Sequence, residues 1–314
     1  MGRTAEVEEH VERGEVTQAQ GKGRGDWLRR CKLPVILSAP GLLVLYSASF
    51  FAAFGIASNA QGSENVRYPN VVLPGSNVER TTVHAEVYRP PGTGTFPAIM
   101  VLHGCGAVDA HHKRWAERLV SWGYVAVVID SFSPRGFGNI CKETTSVTPE
   151  MRVSDIYGTA EYLRKLPYIA KDRIGLLGFS HGAWTIMKAV QVKYQLKLFG
   201  VRGAVAYYPY CNPKLDANID VPLLVLIGED DDWTPAPLCR ELQAAISKVA
   251  PFEMVFYPGA RHAFDRPQGA TEVSGWSVGG GVRKHKIGGD PKAAEDSFKR
   301  TREYFKRAFD RATP

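Results

Sequence analysis

Cysteine is scarce in this chain of 314 residues: there are five, and no two stand in C-x-x-C spacing. That spacing is what zinc modules and thioredoxin-like redox sites need, so neither is expected. No segment repeats, which excludes solenoids and propellers. A dinucleotide fingerprint is missing too. His103-Gly104-Cys105-Gly106 begins like one, but Asp109 stands where the third glycine belongs. No cofactor and no metal are expected. The adjacent pair His111-His112 cannot share one helical face as ligands and reads as exposed.

A field of one sign is also lacking. The formal net charge is +7 and the pI about 9.1, yet the excess is dispersed. The first sixty residues hold seven basic and six acidic side chains. Near the C-terminus, Lys299, Arg300, Arg302, Lys306 and Arg307 alternate with Glu295, Asp296, Glu303 and Asp310, as on a solvated helix face. No nucleic-acid partner is expected.

Residues 1–28 are polar and glycine-rich with no apolar period, and read as disordered. Arg29, Arg30 and Lys32 then precede an uncharged apolar stretch that ends near Ser58-Asn59-Ala60. Residues 29–60 thus have the layout of a secretory signal peptide cut after Ala60. The stretch is also long enough to serve as an uncleaved membrane anchor, although Pro34, Pro40 and Gly41 break its start. Both of these readings export the rest of the chain, to the periplasm or the medium; a third reading makes the segment a buried helix of the globular fold. Past this segment four cysteines remain: Cys105, Cys141, Cys211 and Cys239. Disulfides suit an oxidising compartment. Of three possible pairings, Cys211–Cys239 is preferred, because both follow the ends of strands expected to be neighbours.

From about residue 66 to 314 strand and helix patterns alternate. Thr81–Tyr88 reads as an early antiparallel strand. Ala98–Leu102, Tyr124–Ile129, Ile174–Leu177, Ala204–Tyr208, Leu223–Ile227 and Glu253–Tyr257 read as further strands. His112–Trp122, Pro149–Leu166, His181–Val192, Pro237–Val249 and Pro291–Phe309 read as helices. The fold class is therefore α/β: a single domain, a mainly parallel sheet with helices on both faces. Chemistry in such sheets sits just past the carboxyl ends of strands.

Gly178-Phe179-Ser180-His181-Gly182 stands between a strand and a helix, the context in which G-x-S-x-G presents a nucleophile on a strained turn. Ser180 needs a base to attack at neutral pH. His262 follows the last strand, in Tyr257-Pro258-Gly259-Ala260-Arg261-His262. The imidazole needs an acid to fix its tautomer. Gly228-Glu229-Asp230-Asp231-Asp232 offers four, of which Asp231 is favoured, with Asp230 and Asp232 as alternatives. Two backbone donors are needed for an oxyanion: the N–H of His181, and that of Cys105 in the turn after Ala98–Leu102. Arg135 reads as a structural ion pair, with binding of a substrate carboxylate as its other candidate role. Tyr207, Tyr208, Tyr210, Trp115 and Trp233 stand near strand ends, where they line an acyl pocket or belong to the core. The Cys105 thiol reads as a bystander.

The stretches VLHGCG, DSFSPRG, GFSHG, LIGEDDDWTPAPLC and YPGARHAFD, with the glycine-rich segment and GGDPKAAEDS beyond them, resemble the dienelactone hydrolase family of the α/β-hydrolase superfamily. The resemblance runs from about Val83 to Phe309. It implies an α/β-hydrolase domain, no cofactor, and esterase or lactonase activity on small molecules; Ser180, His262 and Asp231, read from their own positions, would carry that activity as a Ser-His-Asp triad through an acyl-enzyme. The founding members of the family carry a cysteine nucleophile, and an acidic residue where His103-Gly104 stands here. Ser180 therefore favours a general carboxylesterase. The competing expectations are a catalytically dead binding module and a small peptidase. The only membrane contact expected is the N-terminal anchor.

Overall fold

The computed structural model describes residues 62–246 and 251–310. The disordered N-terminus and the signal or anchor expected over residues 1–60 lie outside the described residues. Among these the strands are β1 (Glu64–Pro69), β2 (Thr82–Tyr88), β3 (Phe96–Leu102), β4 (Val125–Asp130), β5 (Ile169–Phe179), β6 (Val201–Tyr207), β7 (Leu223–Gly228), β8 (Phe252–Tyr257), β9 (Thr271–Trp276) and β10 (Val282–Ile287). The helices are α1 (Ala110–Ser121), α2 (Pro149–Lys165), α3 (His181–Ala189), α4 (Ala236–Ala245) and α5 (Pro291–Asp310).

The first eight strands make one sheet in the order β1-β2-β4-β3-β5-β6-β7-β8. β1 and β2 run antiparallel to their neighbours, and β4 through β8 are parallel. The apolar runs explain why the centre is buried on both sides. In β3, Ala98, Met100 and Leu102 join the core under α2, α3 and α4, while Ile99 and Val101 join the core under α1 and α5. α5 shows the matching helical rule. Ala293, Ser297, Thr301, Tyr304, Phe305, Ala308 and Phe309 form its buried stripe, and its charges face outward.

Local chemistry sets the helix starts. Asp109 caps α1 in a capping box with His112, and Thr148 caps α2 with Pro149 at the first position. The residue that broke the dinucleotide pattern is thus a helix cap. His111 and His112, expected to be exposed, are buried at 3% and 1%. His112 completes the capping box, and the His111 Nε2 pairs with Asp265 across the fold. Alternation in Glu64–Pro69 is too short to announce β1. The β9–β10 hairpin, unassigned from sequence, is two short, mostly exposed strands around Gly279-Gly280-Gly281, and the pattern there carries little apolar signal.

Disulfides join Cys211 to Cys239, the preferred pairing, and Cys105 to Cys141. The first ties the segment after β6 to α4, and both sulfurs are buried. It closes a loop over a sequence separation of 28, a constraint on the unfolded chain worth about 3 kcal/mol. Replacing both residues by serine should lower Tm by roughly 6–12 °C, read by differential scanning calorimetry against the unreduced parent.

Candidate active site

β5 ends in a turn that leads directly into α3. Ser180 sits on it with φ 52° and ψ −114°, a backbone state costing about 1–3 kcal/mol for a residue with a Cβ. Two glycines make the turn sterically possible. A Cβ on Gly178 would lie 2.6 Å from the Gly182 carbonyl oxygen, and one on Gly182 would lie 2.3 Å from that of Leu102. The Ser180 N–H is held by the Tyr207 carbonyl at 3.0 Å, and the Tyr208 N–H by that of Leu226 at 2.7 Å. The ends of β5, β6 and β7 are so laced in sequence.

His262 lies in the loop after β8. Its Nε2 is 3.0 Å from Ser180 Oγ and its Nδ1 is 2.8 Å from Asp231 Oδ2. With Nδ1–H donating to the carboxylate, Nε2 is left to accept from the serine hydroxyl. Among the four acids after β7, Asp231 alone is buried. Its Oδ1 accepts the N–H groups of Trp233 and Thr234 at 2.9 and 2.8 Å, and its Oδ2 accepts the Thr234 hydroxyl at 2.9 Å. Asp230 is exposed, Glu229 pairs with Arg240, and Asp232 lies 3.5 Å from His285. The structure therefore brings Ser180, His262 and Asp231 into one hydrogen-bonded chain at the carboxyl edge of the sheet.

Two aromatic rings pack against the imidazole. Tyr208 packs at 4.6 Å between ring centroids and Trp233 at 5.0 Å. Tyr208 is 2% exposed and donates its hydroxyl to Asp265 at 2.8 Å. It supports the histidine from behind and does not line the cavity, because its hydroxyl is committed to a buried acceptor. Tyr207 and Trp115 are core for the same kind of reason, bonded to Thr301 and Asp265. Asp265 also accepts from His111 at 2.7 Å. Burial alone would raise its pKa, but the His111, Trp115 and Tyr208 donors bring it down to about 2. Trp233 is locked by its Nε1–H bond to the Trp276 carbonyl and by stacking on His285 at 5.0 Å.

Cys105 and His181 both line the cavity into which Ser180 opens. Cys105 carries no free thiol; its bond to Cys141 ties the turn after β3 to the loop that forms one cavity wall. Sequence reasoning missed Arg152, a fully buried cation on α2. Its Nη2 donates to the His103 carbonyl and its Nη1 to His181 Nδ1, each at 2.8 Å. One guanidinium thus positions both backbone segments expected to supply oxyanion donors. An isolated arginine inside a helical pattern gives no sequence signal for this. Arg135 was a candidate carboxylate binder, but both of its terminal nitrogens go to Asp155, at 2.8 and 2.9 Å. It is a structural ion pair and does not line the cavity.

A cavity of about 390 Å³ opens at Ser180, lined by Tyr210, Trp184, Trp233 and Trp276 among others. Asp109, His111 and His112 place potential metal-ligand atoms within 4.8 Å of one another. Asp109 is committed to capping α1, to His112 and to Arg266, while His111 Nδ1 and His112 Nε2 are buried without a hydrogen-bond partner.

Three buried imidazoles surround the nucleophile turn: His103, His112 and His181. Burial, with help from Arg152, pushes His103 well below the usual 6.5 and His181 to about 3; burial takes His112 to about 4. Unfolding below pH 6.5 therefore takes up protons the folded state refuses. Stability present above pH 6.5 is lost as pH falls toward 4, by up to roughly 4 kcal/mol per pH unit once all three rings are protonated in the unfolded chain. Urea denaturation from pH 7 to pH 5 should show this slope. His112→Gln, which retains a side chain able to complete the capping box, should flatten it by about one proton.

A model of the dienelactone hydrolase family matches residues 83–309. A putative carboxymethylenebutenolidase of Synechocystis sp. is 26% identical over 221 residues, covering 64% of this chain and 87% of that protein. A probable 2-oxo-3-(5-oxofuran-2-ylidene)propanoate lactonase of Bradyrhizobium sp. is 26% identical over 193 residues, covering 57% and 78%. Among solved structures, a putative dienelactone hydrolase from Klebsiella pneumoniae superposes with a TM-score of 0.57 at 18% identity, over 78% of this chain and 99% of that one.

Proposed function

The chain belongs to the dienelactone hydrolase family, and from that premise we propose that it is a serine hydrolase of small carboxylic esters or lactones, acting through an acyl-enzyme. The observation that carries this reading is the continuous chain Ser180 Oγ, His262 Nε2, His262 Nδ1, Asp231 Oδ2, with links of 3.0 and 2.8 Å.

In the first step Ser180 Oγ attacks the carbonyl carbon while its proton passes to His262 Nε2. Asp231 stabilises the imidazolium through Nδ1–H; its own carboxylate is saturated by Trp233, Thr234 and His262, which holds the pair in register. The negative charge on the substrate oxygen is met by the N–H groups of Cys105 and His181. The tetrahedral species collapses, the ester C–O bond breaks, and His262 returns the proton to the departing alkoxide. Water then repeats the sequence against the acyl-enzyme and releases the acid and free Ser180. The net reaction is ester plus water to acid plus alcohol, with no redox change and no cofactor.

The two disulfides support export of the domain, since such bonds persist in oxidising compartments. Periplasm or medium is the proposed location, reached through the signal or anchor at residues 29–60.

Ser180→Ala should lower kcat for a p-nitrophenyl ester by about a million-fold and abolish labelling by a fluorophosphonate probe. Ester turnover that survives this change would sink the assignment. Cys141→Ser frees Cys105 from its tether without touching the nucleophile. It should lower kcat by about tenfold with little change in KM, less than the 10²–10³ typical of losing one oxyanion donor outright.

A further inference from the structure

The cavity at Ser180 is walled by rings from four places in the chain. Trp184 comes from α3, Tyr210 from the segment after β6, Trp233 from the loop after β7, and Trp276 from the end of β9. Three of these have structural partners. Trp184 and Tyr210 meet edge to face at 5.5 Å, and Trp233 packs against His262 and His285.

Trp276 is different. Its side chain is left 45% exposed, one of the few large apolar groups so placed among the described residues. Yet its backbone is fixed at both polar atoms. The N–H donates to the Cys141 carbonyl at 2.7 Å and the carbonyl accepts from Trp233 Nε1 at 2.9 Å. An indole held open on an anchored backbone at a cavity mouth is arranged to receive an apolar group.

Charge gives the second constraint. Among the described residues lining the cavity, the only ones with a full charge are Lys142 and Glu143, adjacent and exposed at the rim, where they offset each other. The two arginines near the site are committed elsewhere. Arg135 is bound by Asp155, and Arg152 is sealed behind His103 and His181. A carboxylate carried into this cavity would lose its hydration with no buried cation to meet it.

We infer that this site selects neutral esters bearing an aromatic ring, with Trp276 as a specificity-determining residue, and that it discriminates against esters carrying a second, ionised carboxylate. The inference rests on the hydrolase reading above and names its substrate class.

The test uses three methyl esters of similar length on the full chain, with acid release followed by pH-stat: methyl 3-phenylpropanoate, methyl hexanoate, and methyl 3-(4-carboxyphenyl)propanoate. The phenyl ester should exceed the alkyl ester in kcat/KM by about tenfold and the carboxylate ester by about a hundredfold. Trp276→Ala should reduce the phenyl-to-alkyl ratio by about fivefold, and Trp276→Phe should restore most of it. Equal rates for phenyl and alkyl esters, or a preference for the carboxylate ester, would overturn the inference while leaving the hydrolase intact. A ratio unmoved in a folded Trp276→Ala would remove Trp276 from it. Should wild type turn over none of the three and also resist the fluorophosphonate probe, the hydrolase reading falls and takes this one with it.

Discussion

A serine with φ 52° is held against its own backbone preference at the end of β5, and the rest of the site depends on that constraint. Released, the turn would relax and carry Oγ away from His262. It stays because its surroundings leave no alternative. Gly178 and Gly182 admit the crossing of main chains from β3, β5 and α3 within distances that no Cβ would tolerate. The Ser180 N–H is bonded to the end of β6. Strain of about 1–3 kcal/mol is small against the burial of β3, β5 and β6 on both faces, which is why a sheet of this kind can carry it.

Support for the imidazole is organised differently, by side chains in series. Asp265 collects His111, Trp115 and Tyr208, and Tyr208 presses on His262. Trp233 packs against both His262 and His285, with its Nε1–H bonded to the hairpin backbone. Ala263 (φ 61°) and Tyr208 (φ 41°) carry positive φ beside the histidine, as Ser180 does at the nucleophile. Three of the five non-glycine residues with positive φ among the described residues, Ser180, Tyr208 and Ala263, thus meet at one edge of the sheet.

How much of this was legible follows from what sequence can encode. The strands β3 to β7 announce themselves because burial on both faces demands unbroken apolar runs. Ser180, Asp231 and His262 were legible because each stands just past a strand end in a chain order tied to one geometry. Arg135's partner was not: an arginine after a strand looks the same whether it faces ligand or Asp155, which lies twenty residues away on a helix, although the ion-pair reading preferred from sequence is the one the structure bears out. His111 and His112 were misjudged because the acceptor that buries one of them, Asp265, is distant in sequence. The hairpin was missed since strands that are mostly solvent-exposed carry no apolar alternation strong enough to mark them. Position relative to strands was readable; pairing between distant polar groups was not.

That last class of information joins the chemistry to the cavity wall. The loop carrying Cys141 and Thr144 touches three elements at once. It is bonded to the oxyanion turn through Cys105, to the first residue of α3 through the His181 Nε2–Thr144 carbonyl contact, and to β9 through the Trp276 N–H. Two of the links reach groups proposed for transition-state stabilisation, and the third reaches the residue proposed for substrate selection. A substrate that packs against Trp276 therefore bears on the same loop that fixes the Cys105 donor. The Trp276 N–H to Cys141 carbonyl hydrogen bond and the Cys105–Cys141 disulfide together connect the aromatic wall to the turn after β3. The export proposed above would then preserve the geometry of the site, since a disulfide persists in an oxidising compartment.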